Sequence, residues 1–406
     1  MKSRGSRIGL VALDQWMGGI VYTHNLLRAL SQLPTAERPH ITLFCRNHTK
    51  LFEEVTPLAD RVVVFQSWLD KAFAGTRLET PARYAQATIS GGLLHESAPE
   101  LARAVHQEGV QAVFPVSTPY ARRLPCPIGW IPDLQHRTLP QLASRLRRTI
   151  LDSRFASMLR DPKRHVVVSS HYGLKDALRA YGKPRATTHI LSFVTVPVPS
   201  WFRDPAPVVA KYQAPSQFII ICNQFWIHKD HLTAFRAIAE LKQQGLKVHL
   251  VCTGATWDNR DSGHFPRVQA EIKSLGIEQQ VQILGTIPRL DQVALIRASQ
   301  AVLQPSRFEG WSTVIEDARA LGKPVIASDF PVHLEQAAPG SCFFRTGNPG
   351  DCARAIVRFL DAGQTSAGSP SLHETRVIEF ARTFLGIVEA AISPARPAVS
   401  EEVLAS

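Results

Sequence analysis

The stretch PSRFEGWSTVIEDARALGKPVIASD, residues 305–329, holds the reading on which the fold turns. Glu309 and Gly310 sit in a short loop. A helix carrying Glu316 and Asp317 follows, and the chain returns to an apolar strand at Pro324–Ser328. Thr313 and Glu316 have capping-box spacing, in which the hydroxyl and the carboxylate satisfy free N–H groups of the first turn. Neither Glu309 nor Asp317 is explained that way, although Asp317 also suits the positive end of a helix. Backbone N–H groups around Gly310, Trp311, Ser312 and Thr313 would open the helix as an anion site. In an open α/β sheet, ligands sit outside the carboxyl ends of the strands, where this loop lies.

The same alternation runs along the whole chain. Apolar runs at 7–13, 40–45, 61–65, 112–116, 128–131 and 165–170 read as strands of a first half. A second half restarts at 217–224 and continues through 247–254, 281–285, 301–306 and 324–329. Short apolar runs separated by helical stretches mark parallel sheets buried on both faces. The segment 194–209, with four prolines, reads as the junction. The expected organisation is a unit over 1–195, a second over 196–372, a final helix over 373–392, and a disordered tail over 393–406.

Composition narrows the class. The chain has 406 residues, 45% hydrophobic and 20% charged, as soluble globular proteins do. Six cysteines are scattered with no C-x-x-C pair, which argues against a zinc cage or a disulfide framework and for a reducing compartment. The N-terminal apolar run is short and is followed closely by Asp14, so it reads as a first strand and not as a signal peptide. A cytoplasmic location is expected. Lys and Arg outnumber Asp and Glu by 46 to 34. The excess is dense over Arg137–Arg164, which is either a solvated helix face or a contact with an anionic membrane on the inner face of the cell membrane. No aromatic–basic interleaving points to nucleic acid.

With these motifs in place, the sequence resembles the family-4 (group 1) glycosyltransferases of the GT-B fold, a class that transfers sugars with retention. That resemblance implies two Rossmann-like, doubly wound domains facing a cleft. The family's signature is Glu followed eight positions later by Glu; Glu309 matches the first, and Asp317 falls on the second, with Glu316 one place earlier. By resemblance Glu309 binds donor-sugar hydroxyls, and Glu316 or Asp317 binds the nucleotide ribose. NQFWIHKDHLTAF, 223–235, places Lys229 at the donor pyrophosphate. Many relatives have Arg five residues before that lysine; Gln224 stands there in this chain, leaving Arg307 as a candidate second cation.

In the first half, WMGGIVYTHN resembles the family's glycine loop, where Gly18 and Gly19 admit a phosphate or acceptor against the backbone; a simple turn is the plainer reading. GWIPDLQHRTLP lines the acceptor side, with Asp133 and His136 as its polar candidates. Many relatives have His directly before that Asp, where this chain has Pro132, so His136 is either an active-site group or a structural one. Gly254 at a strand end and Ile287 in the loop toward the base complete the donor side. SDFPVHLEQ, 328–336, reads as a structural turn, and Ser169 or Ser170 as a helix cap.

The implied activity is transfer of a hexose, with mannose as a candidate, from a nucleoside-diphosphate sugar to a glycan or lipid-linked acceptor hydroxyl in bacterial polysaccharide assembly. No Asp-x-Asp pair is present, and DNRD at 258–261 has the wrong spacing, so no metal or other cofactor is expected. Lys229 and the helix N-terminus would supply the positive charge. The rivals are a non-catalytic nucleotide- or glycan-binding GT-B protein and a GT-B epimerase or phosphorylase.

Overall fold

The computed structural model describes residues 5–14, 16–46, 49–65, 99–116, 123–258, 260–338, 340–362 and 370–393. The expected disordered tail lies almost wholly outside them.

The first half carries strands β1 (Arg7–Val11), β2 (His40–Cys45), β3 (Arg61–Val64), β4 (Ala112–Phe114), β5 (Ile128–Ile131), β6 (His165–Val168) and β7 (Thr187–Ile190). They form parallel sheets in the orders β3-β2-β1-β4 and β5-β6-β7, joined by a parallel bridge from Val113 to Pro127. The second half carries β8 (Ile219–Cys222), β9 (Leu250–Thr253), β10 (Val281–Gly285), β11 (Ala301–Gln304), β12 (Val325–Ser328) and β13 (Cys342–Phe344). Their order is β10-β9-β8-β11-β12-β13, all parallel. This is the doubly wound arrangement, in which the chain reverses its direction of winding between β8 and β11. The crevice at that reversal takes its residues from the loops after those two strands.

Nine helices carry the argument: α1 (Met17–Ser31), α2 (Arg145–Arg160), α3 (His171–Tyr181), α4 (His231–Gln243), α5 (Arg289–Ala298), α6 (Thr313–Ala320), α7 (Pro331–Glu335), α8 (Pro349–Asp361) and α9 (Pro370–Ile392). Ser170 caps α3 by accepting from Gly173 N at 2.9 Å. Two strands went unread in the sequence. β7 has no apolar run and lies at a sheet edge, and β13 is only three residues long.

The second-half core is aliphatic, built from Ile219, Ile221, Leu250, Leu303 and Ile326 against Phe235 and Ile238 of α4 and Ile356 and Phe359 of α8. The first-half core has a different composition. Val377, Phe380, Ala381, Phe384 and Val388 of α9 join Ile8, Leu10, Tyr22, Leu26 and Phe114 in one cluster. The last helix therefore completes the core of the first unit. Arg382 of α9 also pairs with Glu37 at 2.9 Å.

The basic segment requires a correction. Arg154 and Arg164 are buried, and Arg164 donates to the Val116 carbonyl at 2.8 Å. Arg137 is bound to Asp152 at 2.5 Å and lies over the Tyr181 ring. Only part of Arg137–Arg164, with Arg145, Arg147, Arg160 and Lys163, forms an exposed cationic face. Among the described residues, no helix is long and apolar enough to cross a membrane.

Phe384 is fully buried with its ring 5.3 Å from that of Phe114. Truncating a buried aromatic costs about 3–5 kcal/mol. Phe384→Ala is expected to lower the denaturation midpoint of the first unit by that order, and an unchanged midpoint would contradict the role assigned to α9.

Candidate active site

A chain of buried polar side chains spans the switch point. Asn223, directly after β8, donates through Nδ2 to Gln304 Oε1 at 2.7 Å. Gln304, the last residue of β11, donates through Nε2 to Glu309 Oε1 at 2.8 Å and to Ser312 Oγ at 3.1 Å. Lys229 Nζ then meets the same Glu309 oxygen at 2.6 Å. Gln304 is fully buried and Glu309 nearly so, so the amide and the ammonium supply the carboxylate with what water would otherwise give.

Local geometry explains why these groups meet. Ser312, not Thr313, caps α6, its Oγ accepting from Ile315 N. The capping-box reading of Thr313 and Glu316 is therefore displaced by one residue, because the chain turns helical at Thr313 itself. Gln336, just past α7, accepts from Ser312 N at 2.9 Å and donates to Ser312 O at 3.0 Å, pinning the loop that holds Glu309. At Gly310 a Cβ would stand 2.2 Å from the Pro132 carbonyl, so only glycine lets this loop touch the Pro132–Asp133 loop of the other unit. Gly254 has φ +136, and a Cβ there would meet Asn223 O at 2.1 Å, which keeps the loops after β8 and β9 in contact.

The structure separates Glu316 from Asp317. Glu316 is fully buried and turned to α9, accepting from Arg376 at 3.0 Å and from Gln336 at 3.2 Å. Asp317 accepts from Thr195 Oγ1 at 3.0 Å and pairs at 2.6 Å with Arg289, whose side chain is partly exposed and lies over the Trp201 ring. Glu316 is thus committed to α9, and Asp317 is held by Thr195 and the Arg289 guanidinium. Ile287 is half-buried against the cluster that contains Cys222 and Leu295.

Arg307 does not fill the place left by Gln224. Its guanidinium is bidentate to the buried Asp230 at 2.8 and 3.1 Å, and Gln224 itself accepts from Ala255 N. On the acceptor side, Asp133 caps its own turn by accepting from Gln135 N at 2.9 Å, and burial raises its pKa above the usual carboxylate value. Glu309 is among the charges that act on it. His136 is buried, bound to Asp152 at 2.9 Å and edge-on to Phe155. These contacts tie it to α2. Gly18 and Gly19 open α1 beneath Trp16; a Cβ on Gly19 would meet that of Leu13 at 2.8 Å. Trp16 stacks on Trp130 and Trp130 on Tyr22, an aromatic pile at the end of β1 that the sequence alone did not single out.

Several contacts tie the two units together around this site. Trp311 Nε1 donates to Phe193 O at 2.9 Å, and Val196 N donates to Asn25 Oδ1 at 2.8 Å. The Glu335 carboxylate accepts from His171 N and Tyr172 N at the start of α3, at 2.8 and 2.7 Å. Gln304, Asn223, Gln336 and Glu335 were not read as site residues. The available signal was a glutamine ending an otherwise apolar strand.

Residues 209–369 match the family model for group 1 glycosyl transferases. This segment resembles a group 1 glycosyl transferase domain. Curated relatives match stretches of different length. The putative glycosyltransferase EpsF of Bacillus subtilis is 30% identical over 101 residues, 25% of this chain and 24% of that protein. A D-inositol 3-phosphate glycosyltransferase of Corynebacterium efficiens is 27% identical over 232 residues, 55% of this chain and 49% of its own. The chain thus spans less than half the length of the curated relatives it matches. Among solved structures, Anabaena HepE in complex with UDP and glucose superimposes with TM-score 0.66 at 16% identity, covering 95% of this chain and all of that one. The sucrose-phosphate synthase of Thermosynechococcus elongatus gives 0.63 at 16% identity, covering 95% and 96%. At such identities the likeness establishes the fold, which is GT-B.

Glu316 provides a direct test of its assignment. Removing one partner of a buried ion pair costs about 3–5 kcal/mol. Arg376→Ala is expected to lower the denaturation midpoint accordingly, and adding Glu316→Gln should recover part of the loss in a double-mutant cycle. Two independent, additive losses would show that Glu316 serves some other partner.

Proposed function

We propose that the chain is a hexosyltransferase that moves a sugar from a nucleoside-diphosphate donor to a hydroxyl of a glycan or lipid-linked acceptor, with retention and without a metal ion. The observation that carries this is the Lys229–Glu309 pair at the C-terminal sheet's switch point, within the segment that resembles a group 1 domain. A carboxylate acceptor for sugar hydroxyls stands beside a compact cation for a leaving diphosphate. The bound molecules named for HepE, UDP and glucose, make a UDP-sugar the first donor to test.

In this reading, Lys229 Nζ offsets the charge that develops on the departing β-phosphate. The N–H groups from Gly310 to Thr313, at the start of α6, add partial positive charge. Glu309 holds the sugar by its hydroxyls. Asp317, once Arg289 moves aside, takes the ribose hydroxyls at the other end of the donor. Asp133, its pKa raised by burial, lies on the acceptor side within the field of Glu309. Contact between the Pro132–Asp133 loop and Gly310 excludes water from the reacting bond. Among the described residues, no group of three or more His, Cys, Asp or Glu is placed to hold a metal ion. The remaining exposed cations of α2, with Leu146 among them, would face an anionic membrane bearing a lipid-linked acceptor. Mannose as the sugar, polysaccharide assembly as the setting and a peripheral cytoplasmic location belong to this same proposal.

Thermal shifts with UDP, GDP, ADP and dTDP, each with and without EDTA, test the donor side. A ligand at 100 times its dissociation constant stabilises by about 2.7 kcal/mol. One selective shift that survives EDTA is expected; none with any diphosphate would overturn the reading. Glu309→Gln and Lys229→Ala are each expected to cut transfer by about 10²–10³, the usual cost of losing one such charge-stabilising group. Near-normal turnover in both would dissolve the site assignment.

A further inference from the structure

Trp16 breaks several local rules at once. It holds the N-cap position of α1 with extended backbone and no side-chain cap hydrogen bond, where Ser, Thr, Asp or Asn would satisfy a free N–H group. Gly18 and Gly19 follow in the first helical turn, although glycine is among the least favourable residues inside a helix. The indole itself is 42% exposed, although burying it would take a large apolar surface out of water. Local rules that fail together mark a functional site more often than a structural one.

The glycines and the indole form one arrangement. A Cβ on Gly18 would crowd the Trp16 ring, 3.0 Å from Nε1 and 3.2 Å from Cδ1. One on Gly19 would stand 3.2 Å from Cδ2 of the same ring. The indole therefore lies against the bared first turn of α1. Its plane is within 17° of that of Trp130, with centroids 6.2 Å apart. At that separation near-parallel rings overlap only at their edges, so part of the Trp16 face stays open.

Position decides what the open face can take. Trp16 follows β1, and Trp130 is the third residue of β5, so both lie toward the carboxyl ends of first-unit strands, where such sheets bind ligands. From Trp130 the aromatic contacts run to Tyr22 at 4.7 Å and from Tyr22 to Phe193 at 5.6 Å. The Phe193 carbonyl accepts from Trp311, two residues after Glu309. Pro132, two residues after Trp130, is where the Gly310 backbone makes its contact. Trp16 is thus joined through successive contacts to the loop that carries Glu309. The donor groups belong to the second unit, which leaves the crevice of the first for the acceptor. The apolar surface on offer is one indole and the adjoining exposed Met17, an area that suits a single sugar ring and not a lipid chain.

We propose that the open face of Trp16 is the platform for the sugar that receives the transferred group. A pyranose lays its C–H face on the indole, which leaves its hydroxyls turned to the cleft, and the indole N–H supplies one donor to them. This inference rests on the transferase reading proposed above and names its acceptor class, a glycan residue.

Saturation-transfer NMR tests it with methyl β-D-glucopyranoside, methyl β-D-galactopyranoside and methyl α-D-mannopyranoside, with open-chain sorbitol as the control. Transfer concentrated on the ring C–H protons of at least one pyranoside, and absent from sorbitol, is expected for the wild type. Trp16→Ala is expected to weaken that glycoside on the order of tenfold, and Trp16→Phe, which keeps an aromatic face, to retain most of the affinity. Gly18→Ala keeps the indole and adds the Cβ that displaces it, so it is expected to weaken binding too. Alanine favours the helix, so that loss cannot be assigned to unfolding. No transfer to any pyranoside, or equal affinity in Trp16→Ala, overturns the proposal. So does a Trp16→Ala variant that loses binding to phosphatidylglycerol vesicles and keeps its sugar affinity, which would make the indole a membrane contact. A wild type that binds a diphosphate and no pyranoside sinks this proposal alone. One that binds a pyranoside through Trp16 and no diphosphate sinks the transferase reading and leaves the platform standing.

Discussion

The site depends on one hydrogen-bonded chain, from Asn223 through Gln304 to Glu309 and on to Lys229. It crosses the two strand ends between which the second sheet reverses its winding, and three of its four members are buried. A buried carboxylate is tolerable only if its lone pairs are filled, and here an amide and an ammonium fill one oxygen. The amide is itself oriented by Asn223, which fixes which end of Gln304 donates. An apolar residue at 304 would strand the Asn223 amide and leave Glu309 with Lys229 alone of these two partners. The glutamine at the end of a hydrophobic strand therefore has a purpose beyond sheet formation.

The same loop also sets how the two units meet. Gly310 permits backbone contact with Pro132, Trp311 reaches the Phe193 carbonyl, and Asp317 reaches Thr195. These three residues follow Glu309 within eight positions, so the carboxylate and the inter-unit contacts move as one piece. Glu335 adds a second clasp at the start of α3, beside the Ser170 cap, where a carboxylate is favoured by the free N–H groups. Helix α9 closes the arrangement, its apolar face completing the first unit's core while Arg376 holds Glu316 of the second.

Much of this was legible in the residues. Strands of the second half follow their apolar runs closely, because strands buried on both faces must be apolar along their length. Glu309 and Lys229 were legible from motif spacing, and they do meet. Other side chains turned out to have partners that the sequence does not show, because it shows a charge but not what the charge meets. Arg307 is consumed by Asp230, His136 by Asp152, and Arg164 by a backbone carbonyl 48 residues away. The cap fell on Ser312 rather than Thr313, one residue away, as helix starts read from propensity commonly do. β7 was missed because an edge strand needs no continuous apolar run.

By itself, then, the sequence determined the alternation of buried strands and helices, the Pro-rich junction, and the loop in which a glutamate precedes a glycine. Local periodicity and composition suffice for those, since they reflect burial along a single element. Tertiary structure alone decided that Glu316 meets Arg376 while Asp317 meets Thr195 and Arg289, and which arginines are taken up by carboxylates and carbonyls. Each of these is a question of hydrogen-bond partners drawn from distant parts of the chain. A buried polar group's state follows from the groups around it, and only the folded packing brings those groups together.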